Sequence, residues 1–526
     1  MKSKIIKAAA VITAAAALLA SCGGESKKNA VDSNSDFSAY PIKTSETLTY
    51  WMPLSSTISV ITQNYGDTPF AKELEKKSGV KIEYIHPTQG QDASALSLMI
   101  ASDELADIVE TDWLNFQGGP SKAISNEVIV DLTDYMDEYA PNLKKFLKEH
   151  PDIDKSVKTD DGRYYCFPFI RNDKSLLCSA GYIIRSDWMN ELGLTMPNTV
   201  DELENVLTEF KNKKGAAAPI SVSGANTLTS LMNVPDTFYK DGDTIKYGPV
   251  TEEYKAALTK LNDWFNKGLI DKNFVSADSK AIDSNILNGK TGVAFGSGGS
   301  GLGRWLDAAK DIQGFDLAGM NYTVMNEGDK RKCIYASMPY ATYNAAAITT
   351  ACKNIPLAMK FLDYAYSDEG YMLFNFGIEG ESYEMKDGYP KYTELIMKNP
   401  DGLNVSQAMG QYFKASGAGP FVQDKRYIEQ YYEKPQQQEA LKTWTKYIDE
   451  TLESMLPQLT PTADESSEYA NIMSEVEKYR DEMRVKFITG IAPISDFDSY
   501  VQTINQLGIE KALKIKNDAL KRYNER

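Results

Sequence analysis

The sequence predicts a two-lobed α/β protein, and three observations carry that prediction. Residues 46–110 run strand, helix, strand, helix, strand, an order that builds parallel sheet with helices on both faces. A second alternating stretch occupies residues 182–295. The full 526 residues exceed what one hydrophobic core supports, because cores stop growing near ~250–300 residues.

The chain opens on an address. Lys2, Lys4 and Lys7 form a basic region before an apolar run over 8–20 broken by Thr13. That run is short for a bilayer span, which needs roughly 20 apolar residues, and suits a signal peptide. It ends in Leu19-Ala20-Ser21-Cys22-Gly23, which resembles a bacterial lipobox whose Cys22 takes the lipid. The expected organisation is a leader over 1–21 and a lipid-anchored flexible linker over 22–45. The linker's Gly, Ser, Asn, Lys and Asp cannot bury enough surface to order themselves.

In the first alternating stretch, Thr49-Tyr50-Trp51-Met52 forms a strand and residues 69–77 a helix ending at Gly79. Residues 80–85 alternate apolar and polar as strands do. A short helix over 95–101 turns Leu98 and Met99 inward, and residues 106–110 close the unit as a strand. The second stretch places strands at 182–184, 219–222 and 291–295, with helices at 187–192, 200–211 and 251–267. In the last helix Tyr254, Leu258, Leu261 and Phe265 recur at helical spacing. The final hundred residues are mostly helical, with a break over 457–461.

Composition removes several functions. A formal charge of −16, from 73 acids against 57 bases, repels nucleic acid and anionic lipid headgroups. Only His86 and His150 are present, too few for a histidine metal site, and no metal or cofactor is expected. Cys166, Cys178, Cys333 and Cys352 contain no C-x-x-C pair and are expected as free or buried thiols. After Cys22 no long apolar run remains, so the mature chain is expected to be tethered rather than membrane-spanning.

Several stretches then point to a family. They are Leu98-Met99-Ile100-Ala101-Ser102 with Ala106-Asp107-Ile108-Val109, Asp131-Leu132-Thr133 with Tyr139-Ala140-Pro141-Asn142, and Asp160-Asp161-Gly162-Arg163-Tyr164-Tyr165 running into Phe167-Pro168-Phe169-Ile170-Arg171. Ile184-Arg185-Ser186-Asp187-Trp188, Ser367-Asp368-Glu369-Gly370, Gly377-Ile378-Glu379-Gly380 and Phe487-Ile488-Thr489-Gly490 continue the series, and Ser495-Asp496-Phe497-Asp498 ends it. In order and spacing they resemble the extracellular solute-binding proteins of family 1, the sugar-binding lipoproteins of ABC importers, in their larger LipO-like branch.

The resemblance implies a type II periplasmic-binding-protein-like fold, with a hinge and a ligand cleft between the lobes. It implies an N-terminal lobe of 46–168 plus 341–395 and a C-terminal lobe of 172–338 plus 396–526. Crossings are expected near 167–176, near 336–343 and after Tyr392. It also implies the partners: an oligosaccharide or other small polar solute, and ABC permease subunits. The binding protein itself is expected as a monomer on the outer face of the cytoplasmic membrane.

Ligands of open α/β sheets bind beyond the carboxyl ends of the strands. That rule nominates Pro53, Ser55 and Ser56 after the first strand and Asp112 and Trp113 after the third. In the second lobe it nominates Ser223 and Asn226, then Ser297, Gly298, Gly299, Arg304 and Trp305. The crossing segments add Phe167, Arg171, Met338 and Tyr340. Asp112 is either a hydroxyl acceptor or a turn cap; Trp113 is either a sugar platform or a core residue. Gly296-Ser297-Gly298-Gly299-Ser300-Gly301 matches G-x-G-x-x-G, but on an exported chain it suggests ligand contact or a tight turn rather than a dinucleotide site.

Glu379 and Glu381, around Gly380, formally suit glycoside hydrolysis, yet they have no catalytic context. Binding without chemistry is therefore the expected mode, with a surface-anchored glycoside hydrolase or lyase, a sensory binding protein, and a peptide or other polar cargo as the alternatives.

Overall fold

The computed structural model describes residues 36–526, so the leader, Cys22 and the linker to residue 35 lie outside the described residues. Two larger sheets organise the chain. β1 (Thr47–Trp51), β2 (Lys81–Ile85), β3 (Ile108–Thr111) and β4 (Phe167–Arg171) come first. β5 (Ala180–Arg185), β6 (Ile220–Ser221), β7 (Val293–Ser297) and β8 (Leu317–Gly319) follow. β9 (Tyr340–Ile348) and β10 (Val422–Gln423) come last.

The first sheet has the order β10-β4-β9-β3-β1-β2, and the second β8-β5-β7-β6. Neither is wholly parallel, as the alternation alone had implied. β1 runs parallel to β2 and β3, but β9 is antiparallel to both β3 and β4. In the second sheet β5 is antiparallel to β7 and β8. In each sheet the reversed strand is the one by which the chain enters from the other lobe, so its direction is set by the crossing and not by a βαβ unit.

The chain leaves the first sheet after β4, returns as β9, and is still in it at Val422–Gln423, which pairs with Ile170 and Arg171. The expectation that everything after residue 395 belongs to the second lobe is therefore corrected. Residues between β9 and β10 pack on the first lobe or on a small core of their own around Phe376, Tyr392, Met409 and Phe413. Beyond β10 the helix Pro435–Thr445 lies on the second sheet. Gly181 in β5 makes room for it, since a Cβ there would stand 2.4 Å from Nε1 of Trp444. The Trp444 indole is fully buried and donates to the Tyr182 carbonyl at 3.2 Å.

Local signals explain the flanking helices. Val200–Lys214 starts on a capping box between Thr199 and Glu202 and ends at Gly215 with φ 67°. Glu252–Asn266 buries Tyr254, Ala257, Leu258, Leu261 and Trp264 on one face. Asp92–Ser102 corrects one expectation: Leu98 is 69% exposed, while Leu96 and Met99 supply the packing.

The stretch 36–45 is not loose. Ile42 is buried and donates its N–H to Ser78 at 2.8 Å, and Tyr40 donates to the Lys360 carbonyl at 2.6 Å. The aromatic and aliphatic side chains of this stretch outweigh its polar composition. All four described cysteines are free.

Candidate ligand cleft

Past Trp51 the chain turns outward at Pro53 and forms a compact loop, with Ile58 and Ser59 donating their N–H groups to Ser55. His86 fixes the base of this loop. Its Nδ1 lies 2.8 Å from the Met52 carbonyl and its Nε2 accepts the Tyr65 N–H at 3.0 Å, an arrangement that requires the neutral ring protonated on Nδ1. Burial lowers the pKa of His86 accordingly. Ile58 packs down on Gly410, where a Cβ would stand 2.2 Å from its Cδ1, so the loop is tied to helix Val405–Tyr412.

Above this base lie three adjoining hollows. The first, about 330 Å³, is lined by Pro53, Ser55, Thr57, Glu110, Phe413 and Lys414 among others. Its floor holds a buried ion pair, Lys414 Nζ to Glu110 at 3.4 Å, with Tyr50 donating to the same carboxylate at 2.8 Å. The second, about 540 Å³, has Ser56 and Thr57 of the first lobe on one side and Gly299, Ser300 and Arg304 of the second on the other. Asn404, Gln407 and Tyr431 also line it. The third, about 320 Å³, runs along the end of β7 past Phe295, Ser297 and Trp305. Thr57 and Ser406 line both the first and second, and Ser300 and Arg304 both the second and third. The result is a trough, each part within the ≈300–1,000 Å³ of small-molecule sites.

The glycine-rich stretch owes its composition to neither of the two expected reasons alone. Gly298–Gly303 is a wide π-helical turn leading into Arg304–Ala308, and none of its glycines has a positive φ. Close packing requires them. A Cβ at Gly298 would meet the Tyr432 ring at 2.5 Å, and one at Gly303 the Gln437 amide at 2.5 Å. Gly299, which does line the trough, has Tyr431 Oη 2.4 Å from where its Cβ would be.

The sequence-nominated residues divide sharply. Pro53, Ser55, Ser56, Ser297, Gly299, Arg304 and Trp305 line the trough. Arg304 is already committed: Nη1 and Nη2 donate to Asp283 at 2.6 and 2.8 Å and Nε to the Ser300 carbonyl at 2.6 Å. Trp305 donates to the same carboxylate at 2.6 Å and is itself buried.

Others do not face the trough. Trp113 is 0% exposed and donates its Nε1–H to the Val109 carbonyl at 3.2 Å, packed with Trp51 and Phe116; it is a core residue, because the chain after β3 folds inward rather than toward the cleft. Asp112 accepts from the Leu114 N–H and the Asn115 amide at 3.1 and 2.8 Å, a turn cap whose partial burial raises its pKa. Phe167 is fully buried in the first core.

Arg171 lies with its guanidinium 4.6 Å over the Phe169 ring. Gly298 is buried under Tyr432. Ser223 and Asn226 are exposed beyond β6 but line none of the three hollows. Met338 lines a separate cavity of about 220 Å³ with Leu452 and Tyr523. Tyr340 pairs with Ile170 through its backbone, and its side chain lies outside the described residues. Glu379 and Glu381 are exposed on a turn away from the trough.

Sequence reasoning missed Thr57, Asn404, Ser406, Gln407, Lys414 and Tyr431. The tyrosines at 427, 431 and 432, an aromatic cluster at helical spacing, were the available signal.

Comparison with known proteins agrees with this architecture. The family model described as bacterial extracellular solute-binding protein matches residues 59–372. The chain is 24% identical to the fructooligosaccharide ABC transporter substrate-binding protein FusA of Streptococcus pneumoniae over 98% of each chain. It is 24% identical to the lipoprotein LipO of Bacillus subtilis over 78% of this chain and 80% of that one. Among solved structures, the alginate-binding protein AlgQ2 superposes with a TM-score of 0.75 at 24% identity, covering 91% of this chain and 99% of its own. The shared fold is the type II two-lobed one.

Proposed function

The chain belongs to the bacterial extracellular solute-binding proteins, and from that premise we propose that it captures an oligosaccharide between its lobes and presents it to the permease of an ABC importer. One observation carries the reading: the largest of the three hollows has Ser56 and Thr57 from one lobe facing Gly299, Ser300 and Arg304 from the other. A solute held there contacts both halves at once. It binds the closed arrangement better than the open one, and the population shifts toward closure.

The lining suits sugars. Hydroxyls of Ser56, Thr57, Ser300 and Ser406 and amides of Asn404, Gln407 and Gln437 supply both donors and acceptors. Tyr431 supplies a flat apolar face, which matches the weakly apolar C–H side of a sugar ring. The relatives named for carbohydrates support the same class. The mode proposed is binding without bond cleavage, by a monomer anchored through lipidated Cys22. Among the described residues no helix is long and apolar enough to cross a membrane.

The test is a thermal-shift screen of the purified, unlipidated chain against a glycan library. A true ligand at 100 times its Kd adds about 2.7 kcal/mol of stability. New reducing ends appearing during incubation with a polysaccharide would refute the proposal in favour of a hydrolase.

A further inference from the structure

Resting on the reading above, we infer that the oligosaccharide accepted by this trough is uncharged, and that uronic-acid oligomers are excluded from it. The inference follows from where the charges of the three hollows go. Three cations line them, and each is already neutralised by the protein. Lys414 is paired with Glu110, both nearly buried, at 3.4 Å. Arg304 is held in a two-pronged contact by Asp283, with its Nε on the Ser300 carbonyl. Lys434 contacts Asp307 at 2.7 Å.

Two further acids line the same space, Asp92 in the first hollow and Glu433 in the second. Neither has an ion-pair partner among the described residues. The trough therefore carries an excess of two negative charges, in a concave, partly desolvated setting that strengthens their field.

A carboxylate on each sugar would meet that field. To gain a cation it would have to displace Glu110 or Asp283. Glu110 also holds the Tyr50 hydroxyl and Asp283 also holds the Trp305 indole, so each displacement leaves a shielded acid without its partner, the most unfavourable way to open an ion pair. The other arginines flanking the cleft in sequence offer no substitute. Arg185 grips Asp187 between the rings of Trp188 and Phe315, and Arg171 lies over Phe169 outside the three hollows. Neutral hydroxyls require no such exchange: they donate to Asp92 and Glu433 as they stand.

The experiment is calorimetric titration of the purified mature chain with two matched panels. One holds neutral fructo-, xylo-, manno- and galacto-oligosaccharides of three to five sugars; the other holds galacturonate and alginate oligomers of the same length. The expected result is that a neutral oligomer binds with a Kd that varies less than twofold between 20 and 500 mM NaCl, and that every uronate binds at least 100-fold more weakly. A uronate that binds as tightly as the best neutral sugar overturns the inference and leaves the capture of an oligosaccharide standing. Binding by neither panel overturns that capture, and the inference with it.

Discussion

Gly181→Ala tests whether the helix after the third crossing is truly seated on the second sheet. The added Cβ would lie 2.4 Å from Nε1 and 2.6 Å from Cδ1 and Cε2 of Trp444, against ordinary contacts of 3.4 Å and more. Something must move by about 1 Å. The indole is fully buried and cannot swing out. Overpacking of this kind costs roughly 1–3 kcal/mol, and losing the bond to the Tyr182 carbonyl adds about 0.5–1.5 kcal/mol. Replacing glycine within a strand returns about 0.5–1 kcal/mol. Packing wins, and the net loss is about 1–3 kcal/mol.

Denaturant unfolding followed by tryptophan fluorescence measures it, with Gly417→Ala, where the nearest atom is 3.5 Å away, as the neutral reference. Trp444→Phe removes the five-membered ring that the methyl strikes, so the double variant is expected to lose less than the two single losses added together. A Gly181→Ala protein within about 0.5 kcal/mol of the parent, the range of a neutral surface change, would refute the packing described for helix Pro435–Thr445.

Three other outcomes follow from the site. Tyr431→Ala removes the flat wall of the central hollow and is expected to weaken glycan binding roughly 5- to 30-fold, about 1–2 kcal/mol, with the unfolding midpoint unchanged. Trp113→Phe is the converse: a core side chain away from the trough, it is expected to cost stability and leave glycan affinity within twofold, which one titration checks. His86 is held neutral by burial, its folded pKa below the unfolded value of about 6.5. The unfolded chain thus takes up the proton first as pH falls, so His86 contributes stability above about 6.5 that is lost as pH drops through the folded value. His86→Gln is expected to flatten the loss between pH 7.5 and 5 in paired denaturation curves.

Much of the fold was legible because local periodicity and tertiary packing agree along it. The helix around Leu258 and Leu261 and the strands at 80–85 and 180–185 present apolar faces that only one arrangement buries. What failed was non-local. The direction of β9 depends on its arrival from the other lobe, and β10 is two residues long, too short to announce itself by alternation. The site was half legible for the same reason. Strand-end geometry found Ser55, Ser56 and Gly299, which lie where sheets end. It missed Asn404, Ser406 and Tyr431, which reach the trough only because the chain stays with the first lobe past residue 395. It misjudged Trp113, whose side-chain direction depends on a fold-back that no spacing encodes.

The seating of β9 between β3 and β4 has a consequence for how the molecule is born. Ile108 finds its partner in Ile348, and β4 gains its outer neighbour only with Val422. While the polypeptide is being made, two inner edges of the first sheet stand open, with their amides and carbonyls free to pair with whatever is near. Neither half is finished before most of the chain exists, and such distant pairings close slowly. Maturation is therefore an all-or-nothing event for the whole body, and a fragment cut between the halves would inherit an exposed seam rather than a working lobe.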